Sequence, residues 1–307
     1  MKILLTGSSG MVGRNICEHV NSIEHEFLTP SSQELNLLDA ESVTAYIKLC
    51  NPDMVIHAAG IVGGIQANIS NPVKFFVNNM QMGLNIVMAA RSNGVYRFLN
   101  LGTSCMYPKD AENPLTEEII SKGALEPTNE GYALAKVSIT KLCEYINRED
   151  NRYLYKTVIP CNLYGKYDKF DPDQSHMIPA VIRKINEAKK KGIDFVDIWG
   201  DGFARREFMY AEDFADFVYH ALNHFKLMPQ NLNVGIGRDY TINEYYKEIA
   251  KVISYKGNFV HDVSKPIGMH QKLIDDSKLK KFGWKHKYSL EIGLQKTYKY
   301  FLSENNK

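Results

Sequence analysis

The sequence predicts an α/β protein, in which a doubly wound parallel sheet is joined to a smaller, discontinuous α/β lobe. Short apolar runs, which are typical of strands buried on both faces of a sheet, alternate with amphipathic segments of helical length up to Gly165. A glycine-rich loop at residues 7–13 directly follows the first apolar run. These two observations favour a parallel sheet with right-handed helical crossovers.

The predicted elements follow from the spacing of apolar residues. Continuous apolar runs predict strands at 3–5, 27–29, 54–56, 98–101 and 157–159. Apolar residues repeating every three or four positions predict helices at 11–20, 42–49, 72–93 and 132–147.

Beyond Gly165 the pattern becomes less regular and predicts a second unit. A basic helix and a short strand at 195–199 lie between Lys166 and Arg206, and residues 207–237 are expected to return to the main sheet. We therefore predict one domain from 1–165 plus about 207–240, and a lobe from about 166–206 plus 241–307.

Composition excludes several classes of protein. A net charge of +2 over 307 residues gives no reason to expect nucleic acid or a membrane surface as a partner. The first apolar run is too short for a signal sequence or a membrane span. The five cysteines show no CxxC spacing, which argues against a disulfide framework and favours a reducing cytoplasm.

No metal site is expected. His220 and His224 are four residues apart, as two metal ligands on one helix face would be, but no third ligand accompanies them at a suitable spacing. A solvated helix face is the favoured interpretation of this pair.

The glycine loop Gly7-Ser8-Ser9-Gly10-Met11-Val12-Gly13 stands between a strand and a helix, as a Rossmann-type dinucleotide fingerprint requires. Gly7 permits the tight turn, Gly10 allows the backbone to approach a pyrophosphate, and Gly13 allows close packing of the helix on the strand. The helix N-terminus then holds the anion. The alternative is a plain glycine-rich turn.

The residues after the second predicted strand favour NADP over NAD. An NAD site places an acidic residue there against the ribose hydroxyls, whereas this chain has Pro30, Ser31 and Ser32. Serine hydroxyls and Arg14 are able to hydrogen-bond a 2′-phosphate.

A hydroxyl and a Tyr/Lys pair supply candidate catalytic groups. Tyr132 and Lys136 are four residues apart and share one helix face, so we expect the ammonium to lower the pKa of the phenol and make it an acid/base. Thr103 follows the fourth strand, where open α/β sheets bind ligands, and it is positioned to polarise a carbonyl. Ser104 competes with Thr103 for this role.

These residues, together with further motifs, resemble the extended short-chain dehydrogenase/reductases, and among them the GDP-L-fucose synthase family. The motifs that carry the resemblance are HAAGIVGGIQAN (57–68), SCMYPK (104–109), EPTNEGYALAK (126–136), CNLYGKYDKF (161–170), SHMIPA (175–180), RREF (205–208) and KPIGMHQKLID (265–275). The resemblance covers nearly the whole chain.

The resemblance implies an NADPH-dependent enzyme that reduces a GDP-4-keto sugar at C4 after inverting C3 and C5. It implies that Cys105 and His176 transfer the protons at those carbons, that Lys136 anchors the nicotinamide ribose, and that helices 72–93 and 132–147 form a homodimer. The implied cofactor contacts are Gly7, Ser9, Gly10, Met11, Val12, Gly13, Ser32, Asp39, Ala58, Ala59, Tyr132 and Lys136. The implied contacts of the nucleotide sugar are Asn162, Lys184, Trp199, Arg206 and Lys272.

Several departures from the family leave alternatives open. Ser9 and Ser32 stand where arginines often clasp the NADP phosphate, and Lys184 replaces the second arginine of a pair. A C4 reductase without epimerisation, acting on a related sugar such as a heptose, is one alternative, and a non-catalytic dinucleotide sensor is another. A dehydratase is disfavoured because Ser104 and Cys105 occupy the positions of its acidic pair.

Overall fold

The computed structural model describes residues 1–172, 175–265 and 267–305. The strands in this part of the chain are β1 (Lys2–Thr6), β2 (Glu26–Leu28), β3 (Met54–His57), β4 (Arg97–Leu101), β5 (Leu154–Pro160), β6 (Asn162–Tyr164), β7 (Phe195–Trp199), β8 (Arg205–Arg206), β9 (Phe208–Tyr210), β10 (Asn231–Val234), β11 (Tyr240–Thr241), β12 (Asn258–Asp262) and β13 (Gln271–Lys272). The helices are α1 (Met11–Glu18), α2 (Ala40–Cys50), α3 (Ile65–Ser70), α4 (Pro72–Ser92), α5 (Glu130–Glu149), α6 (Met177–Lys191), α7 (Ala211–Asn223), α8 (Ile242–Ile253), α9 (Ser277–Phe282) and α10 (Leu290–Glu304).

The central sheet confirms the predicted fold class. Its six strands lie in the order β10-β5-β4-β3-β1-β2, and every neighbouring pair is parallel. The chain leaves β1 toward β2 on one side and later returns to β3 on the other. Such a switch point opens a crevice at the carboxyl ends of the strands, where ligands of open α/β sheets bind.

Each predicted strand and helix of the first half is present, with ends that differ by a few residues. Helix α1 stops at Glu18, and a 3-10 turn at Val20–Glu24 occupies the place of its predicted end. The expected return of 207–237 to the main sheet holds for β10, which pairs with β5, but it is wrong for β9, which pairs with β6 in a separate two-stranded sheet.

Two apolar clusters cover the central sheet, one on each face. A further cluster lies beneath α6, α8 and α10, and it includes Ile182, Tyr245, Ile249 and Leu294. Ile274, Leu279 and Trp284 pack with the first cluster, so the C-terminal part of the chain contacts the main sheet as well as the lobe.

The lobe contains short strands whose pairing matters for the crevice. Strand β8 lies between β11, to which it is antiparallel, and β13, to which it is parallel. Arg206 and Lys272 are register partners in the β8/β13 pair. Long-range strand pairing thus brings together two cations that are far apart in sequence.

Candidate active site

The glycine loop forms a close-packed cradle at the start of α1. Gly7 has φ +75°, and a Cβ there would lie 2.6 Å from the Ala59 nitrogen. A Cβ on Gly13 would lie 2.3 Å from the Gly7 carbonyl oxygen, so only glycine allows α1 to approach the loop this closely. Gly10 precedes α1, and among the described residues no side chain caps this helix. The N-terminal amides of α1, which begin with Met11 and Val12, therefore suit a pyrophosphate.

The polar side chains expected near the cofactor differ in whether they already have a partner within the chain. Ser9 and Ser32 are exposed. Arg14 stacks on the Tyr167 ring, with its guanidinium carbon 3.6 Å from the ring centroid. Asp39 caps α2 and accepts from the Glu41 and Ser42 nitrogens at 3.1 and 3.2 Å. The serines are thus open to a ligand, whereas Arg14 and Asp39 already have partners within the chain.

The end of β3 lies directly against the glycine loop. Ala58 and Ala59 follow this strand, and their nitrogens donate to the Thr6 carbonyl and hydroxyl oxygens. The hydroxyl of Thr6 also lies 2.8 Å from Nδ1 of His57. Burial, with a smaller contribution from Lys136, lowers the pKa of His57 to about 3, so this imidazole is neutral.

Two asparagines that sequence analysis missed fix the loop after β3. Asn79 is buried in α4; its Oδ1 accepts from the Ile61 nitrogen at 2.9 Å, and its Nδ2 donates to the Ile61 carbonyl at 3.0 Å. Asn68 donates to the carbonyls of Gly63 and Gly64. A polar residue within the apolar face of a predicted helix was the available signal for Asn79.

The predicted hydroxyl and phenol lie next to each other in the structure. Tyr132 lies in the first turn of α5, and the side chain of Thr103, which follows β4, is near enough to lower the pKa of its phenol. Ser104, the competing hydroxyl, is buried. Thr103 is therefore the hydroxyl that accompanies the phenol.

The expected effect of Lys136 on the phenol is wrong. Burial raises the pKa of Tyr132 above its ordinary value of 10.0, the neighbouring Cys105 raises it further, and the Thr103 side chain offsets part of the rise. Lys136 is buried and donates from Nζ to the Leu101 carbonyl oxygen at 2.9 Å. Burial lowers the pKa of Lys136 to about 8. The phenol thus keeps its proton at neutral pH.

Cys105 lies in a group of nitrogen donors. Asn129 Nδ2 is 3.3 Å from Sγ of Cys105, and Lys272 Nζ is 3.6 Å from the same sulfur. Burial lowers the pKa of Arg206, and its interactions with Cys105 and Glu126 partly oppose this. Lys272, expected at the diphosphate, contacts the thiol in this structure.

His176 lies at the start of α6, across the loop that Asn68 fixes. The carbonyl oxygen of its neighbour Ser175 would be 3.1 Å from a Cβ on Gly64. Burial, followed by the charge of Lys169, lowers the pKa of His176. Within the described residues, neither a hydrogen bond nor a charge interaction joins His176 to Cys105.

The remaining lobe residues form a separate group around Trp199. This indole is 39% exposed, and the ammonium groups of Lys184 and Lys265 lie 5.6 and 5.7 Å from its ring centroid. Lys184 also pairs with Asp197 at 2.6 Å. An exposed aromatic ring between two cations has the chemistry that a base and a diphosphate require.

Asn162 and Glu207 join β6 to the residue between β8 and β9. Asn162 Nδ2 donates to the Glu207 carbonyl at 3.0 Å. The buried Glu207 carboxylate accepts from the nitrogens of Ile236, Gly237 and Ile274. Burial raises the pKa of Glu207 to about 7 despite these hydrogen bonds. No role for Glu207 was evident from the sequence alone.

The described parts of the chain meet the requirements of neither a metal-binding cluster nor a membrane-crossing helix. No group of three or more His, Cys, Asp or Glu side chains in these residues is arranged to hold a metal ion. His220 Nε2 lies 3.0 Å from the Phe282 carbonyl, which gives this residue a structural contact. Among the described helices, none combines the length and apolar character needed to cross a bilayer.

Comparison with known proteins identifies the family. The profile described as "NAD dependent epimerase/dehydratase family" matches residues 3–237. The chain belongs to the NAD dependent epimerase/dehydratase family. It is 63% identical over 306 residues to a GDP-L-colitose synthase of Yersinia pseudotuberculosis, with 100% of this chain and 99% of the relative covered. It is 48% identical over 304 residues to a GDP-L-fucose synthase of Azorhizobium caulinodans, with coverages of 99% and 97%.

Solved structures agree with this assignment. A GDP-6-OMe-4-keto-L-xylo-heptose reductase from C. jejuni superposes with a TM-score of 0.92 at 27% identity, covering 99% of this chain and 98% of the other. A GDP-mannoheptose C4 reductase from Campylobacter jejuni with NADP bound superposes with a TM-score of 0.89 at 27% identity, covering 98% of each chain. This member of the family is an oxidoreductase of the extended short-chain dehydrogenase/reductase type.

Proposed function

We propose that this enzyme reduces the C4 ketone of a GDP-4-keto-6-deoxyhexose with NADPH and also epimerises the carbons next to that ketone, C3 and C5. The observation that carries the proposal is that Thr103 and Tyr132 lie next to each other at the carboxyl end of β4, with the Cys105 thiol beside them. Relatives named GDP-L-colitose synthase and GDP-L-fucose synthase, and C4 reductases among the solved structures, support the same reaction class.

NADP is the cofactor of this proposal, and its reduced form, NADPH, would supply the hydride when bound. The loop from Gly7 to Gly13 holds the pyrophosphate, since no described side chain caps α1. Ser9 and Ser32 hydrogen-bond the 2′-phosphate. Ala58 and Ala59 line the adenosine side of the crevice. Lys136, whose ammonium is held by the Leu101 carbonyl, donates a hydrogen bond to the nicotinamide ribose.

Reduction at C4 needs a proton for the ketone oxygen. Tyr132 holds that proton at neutral pH because burial raises the pKa of its phenol. Thr103 donates to the ketone oxygen beside Tyr132 and stabilises the negative charge that develops there. The phenol then transfers its proton to the oxygen, which gives the alcohol.

Epimerisation needs a base on one face of the sugar and an acid on the other, because the carbons next to the ketone are weakly acidic. Cys105 and His176 take these roles. Cys105 is held by Asn129 and Lys272, and His176 stands at the start of α6 beside the loop at Gly64.

The nucleotide binds to the lobe formed by residues 166–206 and 241–307. Trp199 stacks on the base. Lys184 and Arg206 bind the diphosphate, and Lys184 breaks its ion pair with Asp197 to do so. Asn162 shapes the floor of the site between sheet and lobe. This division assigns the dinucleotide to residues 1–165 and 207–240.

The sugar can be distinguished by its C3 substituent, since L-fucose has a hydroxyl there and L-colitose does not. We expect turnover of at least one of the two GDP-4-keto sugars with NADPH, measured as loss of NADPH absorbance. In deuterated water an epimerase incorporates deuterium at the carbons next to the ketone. Failure to turn over either sugar overturns the proposal.

A C4 reductase that does not epimerise is the second candidate, and the close superposition on heptose reductases favours it. Reduction without deuterium incorporation would select this candidate. A dinucleotide sensor would bind NADPH but reduce neither sugar.

We further propose a cytoplasmic homodimer. All five cysteines are free, as a reducing compartment requires. Helices α4 and α5 expose apolar side chains, among them Val73, Val77, Leu84 and Leu134. A second copy would bury this face in a four-helix interface, and light scattering after size exclusion tests the expected mass of twice 35.0 kDa.

A further inference from the structure

Asn129 has an unusual role for an asparagine that precedes a helix. It occupies the position before α5, where asparagine ordinarily caps the helix with its side chain, yet it makes no such cap. Its amide instead reaches the catalytic crevice, where Nδ2 lies 3.3 Å from the sulfur of Cys105. The side chain of Asn129 thus contacts Cys105 and does not cap α5.

The neighbouring lysine determines which way the amide faces. Lys272 Nζ lies 3.6 Å from the same sulfur, and an ammonium is only a donor, so the sulfur acts as an acceptor there. An acceptor sulfur favours the amide orientation in which Nδ2 faces Cys105. Oδ1 of Asn129 then faces away from the thiol.

This Oδ1 atom is buried and has no hydrogen-bond partner within the described residues. Buried carbonyl oxygens are nearly always paired, because an unpaired one loses its hydration without compensation. Asn129 is three residues before Tyr132, whose phenol faces the proposed ketone. A ligand donor beside that ketone would satisfy the orphaned oxygen.

We propose that Asn129 is a positioning and specificity-determining residue of this site. Its Nδ2 holds the Cys105 sulfur in place, and its Oδ1 accepts a hydrogen bond from a ring hydroxyl of the sugar. The donor is the hydroxyl at C2 or at C3, the two ring carbons of a GDP-4-keto-6-deoxyhexose that carry hydroxyls. This inference rests on the proposed C4 reduction and adds a residue that recognises a hydroxyl of the sugar.

Two substitutions distinguish the donor role of Nδ2 from the acceptor role of Oδ1. Asn129→Ala removes both the donor and the acceptor. Asn129→Asp has the same shape and keeps an acceptor at Oδ1, but it cannot donate to the sulfur. Asn147→Ala is the matched control, because Asn147 lies on the same helix and hydrogen-bonds the backbone of Tyr155.

The experiment measures kcat/KM for NADPH-dependent reduction of the GDP-4-keto-6-deoxyhexose and of its 2-deoxy and 3-deoxy analogues. We expect the unmodified enzyme to disfavour one analogue by about tenfold or more, since that analogue leaves Oδ1 unpaired. Asn129→Ala should abolish this discrimination, whereas Asn129→Asp and Asn147→Ala should retain it. The analogue that is disfavoured identifies the hydroxyl.

Deuterium incorporation next to the ketone tests the contact with sulfur. We expect it to fall at least tenfold relative to reduction in Asn129→Asp and to stay unchanged relative to reduction in Asn147→Ala. Discrimination that persists in Asn129→Ala, or equal losses for all three substrates, overturns the inference alone. Absence of any reduction by the unmodified enzyme overturns the proposed function and this inference with it.

Discussion

Lys272 Nζ lies 3.6 Å from the Cys105 sulfur, although 167 residues separate the two along the chain. The ammonium reaches the thiol because β13 pairs with β8 at the edge of the crevice. Lys272 is buried, so its charge acts on the sulfur with little screening by water.

For Lys272→Met, we expect deuterium incorporation next to the ketone to fall by about tenfold or more, because the sulfur loses a charged partner. The affinity for NADPH should not change. Lys280→Met, at an exposed lysine paired with Asp276, is the control. An unaltered rate of incorporation would contradict the role assigned to Lys272.

Tyr132→Phe removes the proton donor of the reduction and keeps the ring. We expect turnover to fall by about 10²–10⁴-fold, as loss of a general acid does, while NADPH titration by fluorescence gives an unchanged Kd. The ring still packs edge-on against Phe75. Tyr145→Phe is the matched control, since this exposed tyrosine lies on the same helix. Turnover retained by Tyr132→Phe would rule out the phenol as the acid.

Gly13→Ala tests the dinucleotide cradle. The added Cβ would lie 2.3 Å from the Gly7 carbonyl oxygen, so α1 has to move away from the loop. We expect NADPH affinity to fall at least tenfold, measured by calorimetry. Gly192→Ala is strained by its φ of +65° but meets no atom within 4 Å, and it should leave NADPH affinity intact.

Glu207→Gln tests how a buried carboxyl affects stability. The pKa of Glu207 is raised from an ordinary 4.5 to about 7 in the folded chain, so the unfolded chain releases this proton at lower pH. Its contribution to the free energy of unfolding therefore falls as the pH rises from about 4.5 to 7. Urea unfolding at several pH values should show a shallower decline across this window in Glu207→Gln. An identical pH profile would contradict the assigned pKa.

Asn79→Ala tests how the loop after β3 is held. Truncation leaves the Ile61 nitrogen and carbonyl without their side-chain partner, which costs about 1–3 kcal/mol when such groups are buried. We expect a lower urea midpoint and faster amide hydrogen exchange at Ile61. Asn78→Ala, at the preceding position of the same helix, should change neither measurement.

Local patterns were sufficient to predict the sheet and which side chains lie at its edge. Apolar runs and glycine spacing depend on residues that are close in sequence, and so do the positions of Thr103 and Tyr132 at the ends of predicted elements. The ends of helices were less accurate, as α1 shows, because caps and short turns decide them.

The pKa of Tyr132 could not be predicted from the spacing of Tyr132 and Lys136. Two residues on one helix face are near one another, yet the Leu101 carbonyl holds the lysine, and burial controls the phenol. Asn129, Asn79 and Glu207 were missed for a related reason. Each acts through a partner that only the packing of distant segments supplies.

The sequence by itself determined the parallel sheet, the glycine cradle and the set of candidate reactive groups, because these depend on residue type and short-range spacing. Tertiary structure alone decided which groups meet: Lys272 with Cys105, Lys184 with Asp197, and Arg14 with Tyr167. Contacts between distant segments depend on how the strands and lobe pack, and no local pattern records that packing.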